Sequence, residues 1–377
     1  MVNSINTVMY NLNLLNQRNE KVIYGMSSGE ALEKGSYDST KYNQILSISN
    51  NVKSYGSILE RIQLSSSYNT TSDTAVSNMK VSLESASSLI LKATTGTTNT
   101  ESKTTIADEL ESLKETIFTL ANSNTNGQYL FSGKSSNVQP FQKDETTGKI
   151  SYVSSADNKT VNVENNTYAT QGLNGIELLY STNQTAQSGE NLTFNENEII
   201  LDEDGNQYKL LDTNNDGSYD GLYLNGDSSN TALSISDNGD GTFTVNNTGT
   251  SNLESKHSIF DDLDELINAL RQQDSNGNTI SQEDANLILS NGIEKLDNAF
   301  DNVNLNHAKL GIRTSLIENY ESIVQAKITH FEILEENYAS ADLTALAIES
   351  QSLENTYTAL YSTINKINNL SLVKYLN

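Results

Sequence analysis

Residues 339–377 read ASADLTALAIESQSLENTYTALYSTINKINNLSLVKYLN. Apolar and small residues recur there at alternating spacings of three and four: Ala339, Leu343, Leu346, Ser350, Leu353, Tyr357, Leu360, Ile364, Ile367 and Ser371. That is the seam pattern of a coiled coil, and neither proline nor glycine interrupts it. The residues between are largely Glu, Gln, Asn, Thr and Lys, so one stripe needs a partner and the rest favours water. A helix of this length would run about 50 Å at 1.5 Å per residue. It cannot bury its stripe alone.

The partner is sought at the other end of the chain. A first helix is expected over about Ile5–Met26, striped by Ile5, Val8, Leu12, Leu15, Asn19, Val22 and Met26 and stopped at Ser27-Ser28-Gly29. Asp38 or Ser39 is available to cap the next helix, which carries Ile45, Ile48, Val52, Tyr55, Leu59 and Ile62. After a polar interval the stripe resumes at Val76, Met79, Leu83, Ala86, Ile90 and Ala93, and the run Thr94–Thr100 breaks it. A third helix over about Thr104–Asn122 completes an antiparallel hairpin.

At Asn126-Gly127 the period changes. Gln128–Gly133 is short, aromatic and closed by glycine, which predicts a strand. From there to about Leu253 brief β-prone runs alternate with turn dipeptides such as Asp204-Gly205, Asn225-Gly226 and Asn238-Gly239. Helical spacing returns at Ile259, Leu263, Leu266 and Leu270, resumes at Leu287, and continues through Tyr338 into the closing helix. The fold class expected is α+β and multidomain: a long antiparallel, coiled-coil-like helical rod built from both termini, with an inserted mainly-β domain. The boundaries expected are 1–45 and 339–377 for a terminal helical domain, 46–133 and 256–338 for the rod, and 134–255 for the insert.

Composition excludes several classes. The 377 residues carry a net charge of −25, which opposes a nucleic-acid surface or an anionic-membrane anchor. No run of eighteen apolar residues is present, so no membrane-spanning helix is expected, and the N-terminus lacks the features of a cleaved signal peptide. With no cysteine there is neither disulfide nor thiolate chemistry, and proline occurs once, at Pro140.

No residues present themselves for catalysis. The three histidines, His257, His307 and His330, fall in no metal-binding pair, and no hydrolase, P-loop or dinucleotide motif occurs. Neither an enzyme nor a cofactor is expected. One stretch, Asp212–Gly221, follows the first half of a calcium loop, with Asp212, Asn214, Asp216 and Asp220 at the oxygen-ligand positions and Gly217 at the sixth. Tyr223 stands where a bidentate Glu belongs, and neither flank reads as a helix; a type I′ or bulged hairpin turn is expected there instead.

Four places resemble one family, the flagellar hook-associated protein 3 proteins, which form the hook–filament junction and belong to the flagellin-like superfamily. They are Met26-Ser27-Ser28-Gly29; Leu120–Asn122 through Asn126–Gly133 with Pro140-Phe141; Leu310-Gly311-Ile312-Arg313; and Ala341-Asp342-Leu343-Thr344 with the ending Leu370–Leu376. The resemblance covers about residues 1–133 and 256–377. It departs at Ser36-Tyr37-Asp38-Ser39-Thr40, where the family has a Pro-Ser-Asp-Asp-Pro-like loop. Flagellin shares the terminal helices and is the near alternative; an adhesive or glycosylated module carried on a helical rod is another.

The resemblance implies a secreted, extracellular structural subunit, exported by the flagellar type III apparatus. Its implied partners are hook-associated protein 1 on the hook side, flagellin, further copies of itself in a helical array, and an export chaperone. The stripes expected to meet neighbouring subunits are Ile5, Val8, Leu12, Leu15 and Val22, with Leu343, Leu346, Leu353, Tyr357, Leu360, Ile364 and Ile367.

Overall fold

The structure, a computed structural model, describes residues 2–95, 100–248, 251–275 and 277–375, and the side chains of 6–95, 101–248, 251–275 and 277–366. The side chains of Ile5 and Ile367, and those of the ending from Leu370 with Ser371, lie outside the described residues. The chain opens with α1 (Val2–Ser28), α2 (Ser39–Thr94) and α3 (Thr100–Ala121). A β region follows, containing β1 (Asn124–Thr125), β2 (Gln128–Tyr129), β3 (Phe141–Lys143), β4 (Ile150–Tyr152), β5 (Lys159–Glu164) and β6 (Thr167–Gln171). A short α4 (Gly175–Leu179) leads to β7 (Tyr180–Ala186), β8 (Asn191–Asn195), β9 (Ile199–Asp202), β10 (Gln207–Leu211), β11 (Gly221–Leu224), β12 (Ile235–Asp237), β13 (Thr242–Asn246) and β14 (Leu253–Ser258). The chain closes with α5 (Ile259–Leu270), α6 (Gln282–Ala339) and α7 (Leu343–Tyr375). This is the α+β class expected, with long helices at both termini and antiparallel sheets between them.

The chain divides into two compact units, residues 1–60 with 322–377, and residues 61–321. In the first, α1 packs on α7 and Tyr55 of α2 stacks on Phe331 of α6 with ring centroids 5.7 Å apart. In the second, α2, α3, α5 and α6 share one core. Val76, Met79, Leu83 and Ile90 meet Ile106, Leu110 and Ile117, together with Phe260, Leu263, Leu266, Leu289, Leu296 and Val303. Each such side chain removed from water contributes about 1.5–3 kcal/mol, which is why the spacings at three and four become helices facing one another.

The β region holds a five-stranded antiparallel sheet in the order β11-β10-β9-β14-β7 and a three-stranded sheet β12-β13-β8. Leu192, Phe194, Ile200, Leu222, Phe243, Val245 and Leu253 fill a separate core there. Alternation inside and out along β8 and β13 sets this up, Leu192 and Phe194 facing Val245 and Phe243 in register.

Two expectations are corrected. Gln128–Gly133 is not one strand: β2 ends at Tyr129 and the chain turns. Leu130 and Phe131 are both buried beyond the end of β2. Gly133 holds φ +60, and a Cβ there would sit 2.3 Å from the carbonyl oxygen of Asp157. Nor does helical structure run unbroken from Leu287 into the closing helix. It stops at Ala339 and restarts at Leu343, where Asp342 Oδ1 accepts from the Ala345 amide at 2.9 Å.

The polar interval of α2 has a reason. Helix continues through it, and its polar groups hold the neck of the β region. Tyr68 donates to the Leu130 carbonyl at 2.7 Å, and Asn69 accepts from the Gly172 amide at 2.9 Å while donating to Thr314 at 3.2 Å. Burial raises the Tyr68 hydroxyl well above the ordinary tyrosine range. Across from it, α6 offers Asn302 and Asn306, whose side-chain amides donate to the carbonyls of Glu177, Leu178 and Tyr180, and Arg313, which donates to the Gly172 carbonyl at 2.6 Å. An apolar stripe cannot satisfy backbone groups, so the stripe gives way where irregular backbone is buried.

Candidate assembly interface

The antiparallel pair of α1 and α7 is the candidate site. Leu15 and Val22 of α1 meet Leu353 of α7 in a small buried cluster, with Leu346, Tyr357 and Leu360 half-buried around it. Tyr357 donates to the side-chain carbonyl of Asn16 at 2.7 Å. Gly25 lets the helices approach, since a Cβ there would fall 2.6 Å from Leu346 Cδ1. The terminal stripes therefore first face each other.

Both breaks that free this pair lie side by side. After α1, the Gly29 amide donates to the Gly25 carbonyl at 3.0 Å with φ +75, a left-handed helix stop. The Ala31 amide then donates to the Ala339 carbonyl at 2.6 Å, and the Ala341 amide to the Gly29 carbonyl at 2.8 Å. Asp38 Oδ1 accepts from the Lys41 amide at 2.9 Å and caps α2.

The residues nominated from sequence divide into groups. Leu15, Val22, Leu346, Leu353, Tyr357 and Leu360 come together; Val8, Leu12 and Ile364 are half-buried; Leu343 is exposed. What sequence reading passed over is the outer surface of the same helices. Tyr10 is 70% exposed, Ile348 68% and Met9 63%, with Leu14, Ile23, Met26 and Tyr361 also in water. Scattered exposed apolar side chains are ordinary on a folded surface, but seven on two paired helices leave much apolar surface outside the buried contact. A signal was present in the sequence, because α1 carries more apolar positions than one stripe can use.

The calcium-like stretch closes the antiparallel hairpin of β10 and β11, as expected, but through the whole loop of residues 212–220 and not a type I′ turn. Its carboxylates accept from the loop itself: Asp212 from the amides of Asp216 and Gly217 at 3.2 and 2.8 Å, and Asp220 from the Thr213 amide at 2.7 Å. The Thr213 hydroxyl and amide hold Asp220 below the usual carboxylate range. Among the described residues, no group of three His, Cys, Asp or Glu is arranged to hold a metal ion, and no helix is long and apolar enough to cross a membrane.

Comparison with known proteins bears on the helices. Residues 2–136 match the bacterial flagellin N-terminal helical region. This part of the chain is similar to flagellin. The match runs from α1 through β2, covering the Ser-Ser-Gly break and the neck into the β region, so the likeness read from those motifs holds. Among solved structures, flagellar hook-associated protein 3 of Legionella pneumophila is similar in fold, with a TM-score of 0.51 and 18% identity over 78% of this chain and 98% of that one. A candidate flagellar hook-associated protein of Vibrio parahaemolyticus has a TM-score of 0.53 and 12% identity over 81% of this chain and 100% of that one. At such identities these likenesses establish the fold. No curated protein sequence matches the chain.

Proposed function

We propose that the protein is a structural subunit of the bacterial flagellum that joins hook to filament and assembles through α1 and α7. The observation that carries this is α1, within the region similar to flagellin, paired with α7 through Leu15, Val22 and Leu353 and with apolar side chains left outside the contact as well. A two-helix element with so small a core gains most by burying its outer face on other subunits. Contacts of this sort are head-to-tail and repeat without closing, which builds a tube. The neighbours would be hook-associated protein 1 on one side, flagellin on the other, and copies of itself between. Before assembly the same face would be held by an export chaperone, as an amphipathic helix lies in a groove.

The outer face and the seam make separable predictions. Tyr10→Asp combined with Ile348→Asp leaves the α1–α7 contact untouched, so circular dichroism should match the wild type while swimming is lost. Leu353→Asp should lower helicity as well as motility. Wild-type swimming in both variants overturns the assembly role. Immunogold labelling of intact cells should give one band at the hook–filament boundary, whereas labelling along the whole filament would make the chain a filament subunit.

A further inference from the structure

Three buried polar atoms without a hydrogen-bond partner are Glu198 Oε2, His257 Nε2 and Asp262 Oδ2. His257 and Asp262 flank the point where the chain leaves the β region. There β14 passes without a linker into α5, with Ser258 Oγ accepting from the Phe260 amide at 3.2 Å. His257 Nε2 lies 3.0 Å from Asp262 Oδ2, in the first turn of α5. The two atoms are close but not aligned for a hydrogen bond, so their attraction depends on imidazolium charge. The other groups around them are Asp261 on α5, Glu198 before β9, and Lys295 on α6, which is 3.8 Å from Asp262 Oδ1 and 2.5 Å from Glu265. On its own strand, Lys256 pairs with Glu254 at 3.3 Å.

We propose that His257 is a proton-operated latch: as an imidazolium it ties β14 to α5 through Asp262 and balances Glu198, and on losing its proton it loosens this junction. With the charge present, His257 and Lys295 face Asp262 and Glu198, Lys295 being shared with Glu265. Without it, buried Asp262 and half-buried Glu198, whose Oε1 accepts from Asn183 at 2.7 Å, are left with one divided ammonium, and an unbalanced buried charge is costly. Burial by itself pulls the imidazole pKa down, yet the Asp262 contact and charge outweigh it and the net direction is up.

A His held above its unfolded value contributes stability that is fully present below about pH 6.5 and is lost as pH rises through its folded pKa. Asp261 acts with the same sign in a lower window. Burial pushes its carboxyl up to about 7, so its contribution is lost between about pH 4 and 7.

Hydrogen exchange of the full-length protein at pH 6 and 8.5, corrected for intrinsic rates, tests the latch. Peptides covering 253–270 should open several-fold more at the higher pH, while those from α3 stay unchanged. In an Asp261→Asn background the difference should persist, and adding His257→Gln should remove it. NMR titration of the wild-type ring, which needs no variant to fold, should place its midpoint above 6.5. Equal opening at both pH values, an undiminished difference in the double variant, or a ring midpoint at or below 6.5 overturns the latch.

Discussion

Gly292 shows how little room single positions leave. It lies where α6 passes α5, and a Cβ built on it falls 2.1 Å from Leu266 Cδ2. Leu266 is itself buried among Phe260, Leu263 and Leu270, so it has nowhere to move. Gly292→Ala should cost about 1–3 kcal/mol, the usual range for overpacking, against the small gain in helix propensity. A urea titration should show a lower midpoint at unchanged slope; a midpoint at or above the wild type would mean that the helices are looser than the distance says. Nothing in the spacing of Gly292 marks it, because the reason for the glycine is a residue on another helix.

At the scale of elements, helix ends decide more than helix middles. The alternation from Leu287 to Ser371 reads as one periodic run, yet it holds two helices, α6 and α7, because Asp342 caps a new start. The stop is stabilised from outside by the Gly29–Ala31 segment, which exchanges backbone hydrogen bonds with Ala339 and Ala341. Asp342→Ala should cost about 1 kcal/mol as a lost cap. Amide exchange should then speed up in the first turn of α7 and not in α6; equal rates in both would show that the cap is dispensable. The neck of the β region follows the same logic, since Tyr68, Asn69, Asn302 and Arg313 serve carbonyls and amides that no periodicity announces.

For the whole molecule, the two units differ in what holds them. Residues 61–321 enclose the large helical core and the sheet core, whereas the buried α1–α7 cluster is Leu15, Val22 and Leu353. Burial scales with stability, so the terminal helices should open first. Limited proteolysis of the purified chain should trim α1 and α7 early and leave a resistant fragment containing 61–321. Cleavage inside α3 or the five-stranded sheet at the same rate as in α1 would contradict this.

Composition, periodicity and turn chemistry by themselves determined the α+β class, the helices that open and close the chain and the β region between them, whereas the likeness of residues 2–136 to flagellin was carried by short motifs. Those are properties of local spacing, and spacing is printed in the chain. The tertiary structure alone decided that the terminal stripes face each other first, leaving Met9, Tyr10, Ile23 and Ile348 in water. It also decided that Leu130 and Phe131 turn inward together, and that His257 meets Asp262 across the β14–α5 junction. Each of these depends on which side of an element its neighbour occupies, and that is settled only when distant segments compete for the same buried surface.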